Sequence, residues 1–294
     1  MSGSNNQIIN IGLLQMECSE DFDLNLSLII GNIKEAAKQG AQIICLQELF
    51  MWPYFCQVED PKYFPLAEKV PGPLTEKMSG LAKDLSVVLI IPLFEKRSKG
   101  IYHNTAVVLD ADGSLAGIYR KMHIPDDPCF FEKYYFTPGD TGFKSFPTRF
   151  GRIGVLICWD QWFPEAARLT TLSGADFIFY PSAIGFHNED ADAAEKQMAA
   201  WESVQKGHAI ANGVFTATVN RTGKENEIQF WGRSFICDPF GEVIAVASSD
   251  HPETIIAPCD LSLIETTRQN WPFLRDRRVD AYKDLNRIFI DEND

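Results

Sequence analysis

Several features that would assign this 294-residue chain to a broad class of protein are missing from its sequence. No segment approaches the roughly 18–20 consecutive apolar residues that span a bilayer. The strongest apolar run, Ser86–Phe94, is interrupted by Pro92 and is typical of a buried strand. The opening residues, MSGSNNQ, lack the basic and apolar regions of a signal peptide. We therefore expect a cytoplasmic protein with no membrane partner.

Positive charge and metal-ligand patterns are also scarce. The chain has 27 Lys and Arg against 40 Asp and Glu, and its formal net charge of −13 argues against a nucleic-acid surface. The seven cysteines are scattered without a C-x-x-C pair, which favours reduced thiols over a disulfide framework or a zinc site. The five histidines show no ligand spacing. We expect neither a metal nor a cofactor.

Apolar runs alternate with amphipathic segments almost from end to end, which predicts an α/β protein with mixed sheets. Several of the runs are apolar at successive positions, as in strands that are covered on both faces. The predicted strands are Ile8–Met16, Ala41–Gln47, Val87–Phe94, Asn104–Asp110, Arg152–Cys158, Phe177–Pro181, Gly213–Asn220, Gly232–Asp238, Val243–Ala247 and Thr254–Asp260. The predicted helices are Leu26–Ala37, Leu74–Leu85 and Ala194–Ala211.

Two short segments, Asp110–Gly113 and Asp238–Gly241, lie between apolar runs and predict hairpin turns. The chain contains no low-complexity linker and no shift in composition. We therefore expect a single domain over residues 1–294. Its charged segment 275–294 is expected to be an extension that contacts a partner or solvent.

Polar or reactive residues end apolar strands at three places. Glu48 closes the first, and burial of such a carboxylate raises its pKa toward values suited to a general base. Lys121 follows a hairpin, and a lysine in a pocket stabilises an oxyanion and lowers the pKa of a nearby thiol. Taken alone, each residue more often lies at a solvent-exposed strand end.

The third place is the segment after residue 151, where an apolar strand ends at Cys158 and a helix is expected near Pro164. An elbow of this kind presents a side chain at the sheet edge, close to backbone N–H groups that hold an oxyanion. A cysteine that closes an apolar strand is more often inert core, as we expect for Cys45 and Cys237. The conjunction of all three places favours a catalytic interpretation.

In order and spacing, the three motifs resemble those of the nitrilase superfamily of carbon–nitrogen hydrolases, and the resemblance covers nearly the whole chain. It implies a four-layer α-β-β-α sandwich and a catalytic triad of Glu48, Lys121 and Cys158. Cys158 would attack the amide carbon to give a thioester-type acyl-enzyme, with Glu48 transferring protons. Lys121 and the backbone N–H of Trp159 would hold the oxyanion. Glu132 matches a further glutamate that orients the lysine or the substrate.

Within the superfamily, three segments are most similar to the branch that hydrolyses N-carbamoylputrescine to putrescine, ammonia and carbon dioxide in polyamine synthesis. They are 132–143, 158–165 and 181–185. Hydrolysis of another N-carbamoyl compound or amide, of the ureidopropionase or omega-amidase type, is the alternative.

The tail of the substrate is expected to be cationic. Relatives that bind a carboxylate carry a basic pair after the elbow, where this chain has Gln161-Trp162. An ammonium group needs an acid or aromatic faces. The candidates are Tyr54, Trp159, Asp160, Glu189, Asp190 and Asp192. Acids before a helix also interact favourably with its positive end, which is the structural alternative for the last three.

Other functional classes remain open at this point. A cysteine–histidine hydrolase would use His123 or His208, a metal-dependent amidohydrolase would need clustered ligands, and a silent scaffold would bind partners through the same fold.

The resemblance also implies a homo-oligomer built from dimers, with the segment Arg277–Lys283 crossing the interface.

Overall fold

Two six-stranded mixed sheets form the centre of the protein in the computed structural model, which describes residues 7–187 and 193–291. The strands are β1 (Ile8–Gln15), β2 (Ile43–Leu46), β3 (Val88–Ser98), β4 (Ile101–Leu109), β5 (Leu115–Arg120), β6 (Ser145–Thr148), β7 (Gly151–Val155), β8 (Phe177–Pro181), β9 (Gly185–His187), β10 (Phe215–Val219), β11 (Thr222–Glu225), β12 (Ile228–Trp231), β13 (Phe235–Cys237), β14 (Val243–Val246) and β15 (Glu253–Asp260). The first sheet has the order β15-β1-β2-β3-β4-β5, and the second has the order β14-β13-β10-β8-β7-β6. A small third sheet has the order β11-β12-β9.

Four of the helices cover the outer faces of the large sheets. The helices are α1 (Phe22–Lys38), α2 (Pro73–Leu85), α3 (Glu132–Tyr135), α4 (Pro164–Leu172), α5 (Ala194–Asn212) and α6 (Ser262–Asn270). The first two helices pack on the first sheet, α4 packs on β7 and β8, and α5 packs on β10. The fold is therefore the predicted four-layer α-β-β-α sandwich. No helix among the described residues is long and apolar enough to cross a membrane.

The strand β2 shows why several apolar runs are continuous. Ile43 and Cys45 face the core between the two sheets, while Ile44 and Leu46 face the core beneath the helices. Successive side chains point to opposite faces, so a strand that is covered on both faces must be apolar throughout. The chain is still inside the protein where β2 ends, so Glu48, two residues later, is fully buried.

The hairpin predictions are confirmed, since Asp110–Gly113 lies between β4 and β5 and Asp238–Gly241 lies between β13 and β14. Five short strands were not predicted: β5, β6, β9, β11 and β12. Most of them are rich in glycine and polar residues and carry too little apolar alternation to be distinguished from loops. The strand predicted over Arg152–Cys158 ends at Val155, and Cys158 begins a short 3₁₀ helix instead.

Beyond α6, the described part of the segment 275–294 contains two short 3₁₀ helices, Val279–Ala281 and Lys283–Asn286. Its apolar side chains at Val279, Leu285 and Phe289 are exposed to solvent.

The close packing of α4 against β7 depends on Gly154. A Cβ at this position would lie 2.2 Å from Cγ2 of Thr170 in α4. We expect Gly154→Ala to lower the free energy of unfolding by about 1–3 kcal/mol, because an overfilled core forces side chains or backbone to shift. Urea denaturation measures this change.

Gly80→Ala is the matched control, since Gly80 is exposed in α2 and its added Cβ would meet no described neighbour within 4 Å. It should stabilise the protein by about 0.5–1 kcal/mol through helix propensity. An unchanged unfolding midpoint for Gly154→Ala would show that α4 can move away without cost.

Candidate active site

Four side chains meet at the ends of strands from both large sheets. Glu48 follows β2 and Lys121 follows β5 in the first sheet. Cys158 begins the 3₁₀ helix after β7 of the second sheet, and Glu132 begins α3. The structure thus brings together the three residues of the predicted triad and the additional glutamate.

The Lys121 ammonium lies between two carboxylates. Its Nζ donates to Oε1 of Glu48 at 2.8 Å and to Oε1 and Oε2 of Glu132 at 2.9 and 2.7 Å. All three side chains are at most 1% exposed. Burial opposes the charged form of Lys121, but the charges of Glu132 and Glu48 prevail and hold its pKa well above the ordinary value. The lysine is therefore a fixed cation.

The two oxygens of Glu48 have different surroundings. Oε1 accepts hydrogen bonds from Lys121 and, at 2.7 Å, from Nδ2 of Asn104. Oε2 is buried and accepts no hydrogen bond from any residue in the described part of the chain. One oxygen therefore anchors the carboxylate, and the other is available to take a proton.

Tyr54 lies behind Glu132. Its hydroxyl donates to Oε1 of Glu132 at 2.7 Å, and its ring packs against Phe130 and Phe230. Burial raises the pKa of Glu132 to about 7, although Lys121 and the Tyr54 hydroxyl act in the opposite direction. With 1% exposure, Tyr54 supports Glu132 from inside the protein, which differs from the substrate contact predicted for it.

The backbone at Cys158 is unusual, with a φ of 43° in the left-handed region. A residue other than glycine rarely adopts this conformation, and such residues cluster at functional sites. Burial and the charge of Glu48 raise the pKa of the Cys158 thiol well above its usual range, while Lys121 acts against this shift. The charge of Lys121 therefore acts in the predicted direction, but burial and the charge of Glu48 outweigh it.

Asp160 braces the elbow from within. Its Oδ2 accepts from the Tyr119 hydroxyl at 2.7 Å and from the backbone N–H of Ile157 at 2.9 Å. Its Oδ1 accepts from the backbone N–H of His123 at 3.0 Å. The carboxylate is fully buried and both of its oxygens are engaged, so its position does not match the substrate-binding role predicted for Asp160.

Both histidines considered as partners for the cysteine make contacts elsewhere. Nδ1 of His123 lies 2.8 Å from Asp160, and the His123 ring stacks on Phe163 with centroids 3.6 Å apart. Nε2 of His208 lies 2.8 Å from the carbonyl oxygen of Gln161. Each ring therefore supports the elbow segment.

A cavity of about 650 Å³ opens over Cys158 and Glu132. Five aromatic rings line it, and they belong to Phe130, Trp159, Trp162, Phe186 and Trp231. Glu132 and the exposed Asp127 are the two carboxylates among the described lining residues, which include no lysine or arginine. The predicted residues Glu189 and Asp190, and Asp192 with them, lie outside the described residues.

Sequence reasoning missed Asp127 and Asn104. Asp127 stands in the segment Pro125-Asp-Asp-Pro128, shortly before Glu132, and this closeness was a usable signal. Asn104 is a fully buried polar residue in an otherwise largely apolar strand, a position that requires a hydrogen-bonding partner. The identity of that partner depends on how β4 lies beside the Glu48 loop.

Replacing Tyr54 tests the electrostatics of Glu132. Tyr54→Phe removes the O–H donor that favours the ionised carboxylate, so the pKa of Glu132 should rise above about 7. An ionised Glu132 is needed to hold Lys121, so activity should be lost as the pH falls through this pKa. The acidic limb of the pH profile of kcat/KM should therefore move to higher pH in the variant.

The control for this experiment is Tyr63→Phe, which removes a hydroxyl from a ring that stacks on Phe55. Its acidic limb should coincide with that of the unmodified protein. If the limb of Tyr54→Phe also stays in place, a group other than Glu132 sets it.

Comparison with known proteins identifies relatives along almost the whole chain. The family model described as carbon-nitrogen hydrolase matches residues 10–269. An N-carbamoylputrescine amidase from Solanum lycopersicum is 44% identical, with 95% of each chain covered. A citrullinase from Francisella tularensis is 38% identical, with 96% of this chain and 99% of that protein covered. The crystal structure of a carbon-nitrogen hydrolase from Helicobacter pylori G27 superposes with a TM-score of 0.93 at 46% identity, covering 96% of this chain and 100% of that one.

Proposed function

Because the chain belongs to the carbon–nitrogen hydrolase family, we propose that it hydrolyses N-carbamoylputrescine to putrescine, ammonia and carbon dioxide. The observation that carries this proposal is the cavity. Cys158 and Glu132 line it together with five aromatic rings, and Asp127 offers a carboxylate where the described wall offers no lysine or arginine. Similarity to plant N-carbamoylputrescine amidases over nearly the full chain supports the same substrate.

The first step forms a bond between Sγ of Cys158 and the ureido carbon. Burial raises the pKa of the Cys158 thiol, so we infer that its proton leaves during the attack. Oε2 of Glu48 is the acceptor of this proton. This oxygen is buried, and no residue in the described part of the chain donates a hydrogen bond to it. Glu48 is thus the general base.

Negative charge then develops on the ureido oxygen. The Lys121 ammonium and the backbone N–H of Trp159 stabilise this oxyanion. When the tetrahedral intermediate collapses, the bond to the terminal nitrogen breaks and Glu48 returns its proton to the departing ammonia. The product of this half-reaction is an S-thiocarbamate, a thioester-type acyl-enzyme in which the carbamoyl carbon is bonded to Sγ of Cys158 and to the remaining substrate nitrogen.

The second half-reaction uses the same groups with water as the nucleophile. Glu48 takes a proton from water while the water oxygen bonds to the carbamoyl carbon. The carbon–sulfur bond then breaks. The proton returns to the Cys158 thiolate. The released carbamic acid loses carbon dioxide and leaves putrescine, so atoms and charges balance over the cycle.

At the far end of the substrate, we assign the ammonium group to Asp127 and to the aromatic rings of the cavity wall. A carboxylate at the mouth gives a charge-assisted hydrogen bond, and indole faces such as those of Trp159 and Trp162 attract cations.

The proposed function also includes assembly into a homo-oligomer built from dimers. The exposed apolar side chains of Val279 and Leu285 in the C-terminal segment support this assembly.

Replacing the nucleophile tests the chemistry. We expect Cys158→Ala to lower kcat/KM by at least about 10⁴-fold, because the covalent step is lost. Glu48→Gln and Lys121→Ala should each approach the background rate, and their effects should not add, because the three residues act as a unit. Ammonia release measures all three rates.

Cys45→Ala is the matched control, because Cys45 is also a fully buried thiol but lies in the core between the sheets. Its kcat/KM should remain within about threefold of the unmodified value, as expected for a residue outside the reacting unit. Turnover by Cys158→Ala at a comparable rate would overturn the mechanism.

The substrate assignment is tested by comparing a ureido compound that ends in an amine with one that ends in a carboxylate. A charge-assisted contact is worth about 1.5–3 kcal/mol, so N-carbamoylputrescine should exceed 3-ureidopropionate in kcat/KM by at least about 10- to 100-fold. Asp127→Asn should raise KM for N-carbamoylputrescine by about tenfold and spare the neutral analogue N-butylurea, because only the former carries the ammonium group.

Asp126→Asn serves as the control, since it removes the same charge from the neighbouring exposed position. Equal or better turnover of 3-ureidopropionate would overturn the assignment of N-carbamoylputrescine as the substrate and would leave the proposed mechanism in place. Preference for citrulline over both compounds would assign the chain the activity named for its bacterial relative.

A further inference from the structure

Arg221, between β10 and β11, reaches the loop that carries Glu48. Its guanidinium is fully buried, and Nη2 donates to the carbonyl oxygens of Glu48 and Leu49, each at 3.0 Å. Nη1 donates to the carbonyl oxygen of Trp52 at 2.9 Å. One side chain that follows a strand of the second sheet therefore holds three carbonyl groups of the loop that follows β2 of the first sheet.

The Glu48 loop needs such support from outside itself. It is neither helix nor strand, so its carbonyl groups find no partners in a regular ladder. Leu49 has a φ of 49°, a conformation that residues other than glycine adopt only when their surroundings impose it. A planar guanidinium with several N–H donors suits this task because it binds several acceptors in a fixed geometry.

Glu225 completes the arrangement. Its Oε1 accepts from Nη1 of Arg221 at 2.7 Å, which neutralises the buried cation. Its Oε2 accepts from the backbone N–H of Tyr54 at 2.5 Å. The hydroxyl of the same tyrosine donates to Glu132. The ion pair therefore contacts the backbone of Glu48 directly and reaches Glu132 through Tyr54.

We propose that Arg221 and Glu225 form a positioning pair that orients Glu48 toward Cys158 and orients Glu132, through Tyr54, toward Lys121. The inference rests on the proposed role of Glu48 as general base. A pair that served stability alone would affect unfolding but not the turnover of the folded enzyme.

Arg221→Lys is the first test. Lysine keeps the charge opposite Glu225, but a single nitrogen cannot hold the carbonyl groups of Glu48, Leu49 and Trp52 together. We expect kcat to fall by about 10- to 100-fold, since small displacements of catalytic groups have effects of this size. KM should change by less than about threefold, because the cavity wall is untouched.

Arg120→Lys is the matched control. Arg120 forms a bidentate pair with the buried carboxylate of Glu95, with both distances 2.7 Å. This change should lower the melting temperature to a similar extent, while kcat stays within about threefold. The proposal is overturned if Arg221→Lys retains full kcat, changes KM alone, or loses no more kcat than Arg120→Lys.

The second test isolates the Tyr54 branch and does not depend on the folding of an Arg221 variant. Glu225→Gln keeps an acceptor for Arg221 but turns an N–H₂ group toward the Tyr54 N–H. We expect the acidic limb of kcat/KM to move to higher pH, in the same direction as for Tyr54→Phe. The double variant should show no further shift, because both changes act through one hydrogen bond to Glu132. Additive shifts, or none for Glu225→Gln, would refute this branch.

Both tests use whichever ureido or amide compound the enzyme turns over, so an incorrect substrate assignment does not affect them. Failure of the proposed mechanism would appear separately, as full activity of Glu48→Gln. An inactive Glu48→Gln together with a fully active Arg221→Lys would refute the positioning pair alone.

Discussion

The Lys121 ammonium is buried between the carboxylates of Glu48 and Glu132, 2.7–2.9 Å from three of their oxygens, and the rest of the site depends on this arrangement. One cation faces two carboxylates, so the cluster as a whole has a surplus of negative charge. Burial raises the pKa of Glu132 although the charge of Lys121 opposes it, and burial together with the charge of Glu48 raises the pKa of the neighbouring Cys158 thiol. The site can consequently receive a proton at Glu48 while it retains a positive charge for an oxyanion.

Such a cluster is costly to bury unless every member is held in place. Asn104 and Tyr54 each donate a hydrogen bond to one of the two carboxylates, and Asp160 fixes the elbow that presents Cys158. These supporting residues come from separate segments of the chain. The packing of the two sheets therefore decides how these reactive groups are arranged beside the cavity.

Asn220 and Arg221 illustrate how two consecutive residues connect different walls of the site. The Asn220 side chain accepts from the backbone N–H of Ile184 and donates to its carbonyl oxygen, both at 3.0 Å, beside the cavity. Arg221 binds the Glu48 loop. The residues that follow β10 thus link the part of the cavity wall at Ile184 to the segment that carries the proposed general base.

The sequence by itself determined the class of fold and the residues with reactive groups. Apolar runs predicted most strands of the two large sheets, Asp-x-x-Gly segments predicted both hairpins, and the motifs around Glu48, Lys121 and Cys158 indicated the family. These signals are local, because alternation, turn chemistry and motif spacing are all read along the chain. Only the tertiary structure decided that Tyr54 and Asp160 support the site from inside, that burial raises the pKa of the Cys158 thiol, and which partners Arg221 binds. Those properties depend on burial and on contacts between residues up to 173 positions apart, and neither can be read from a local pattern.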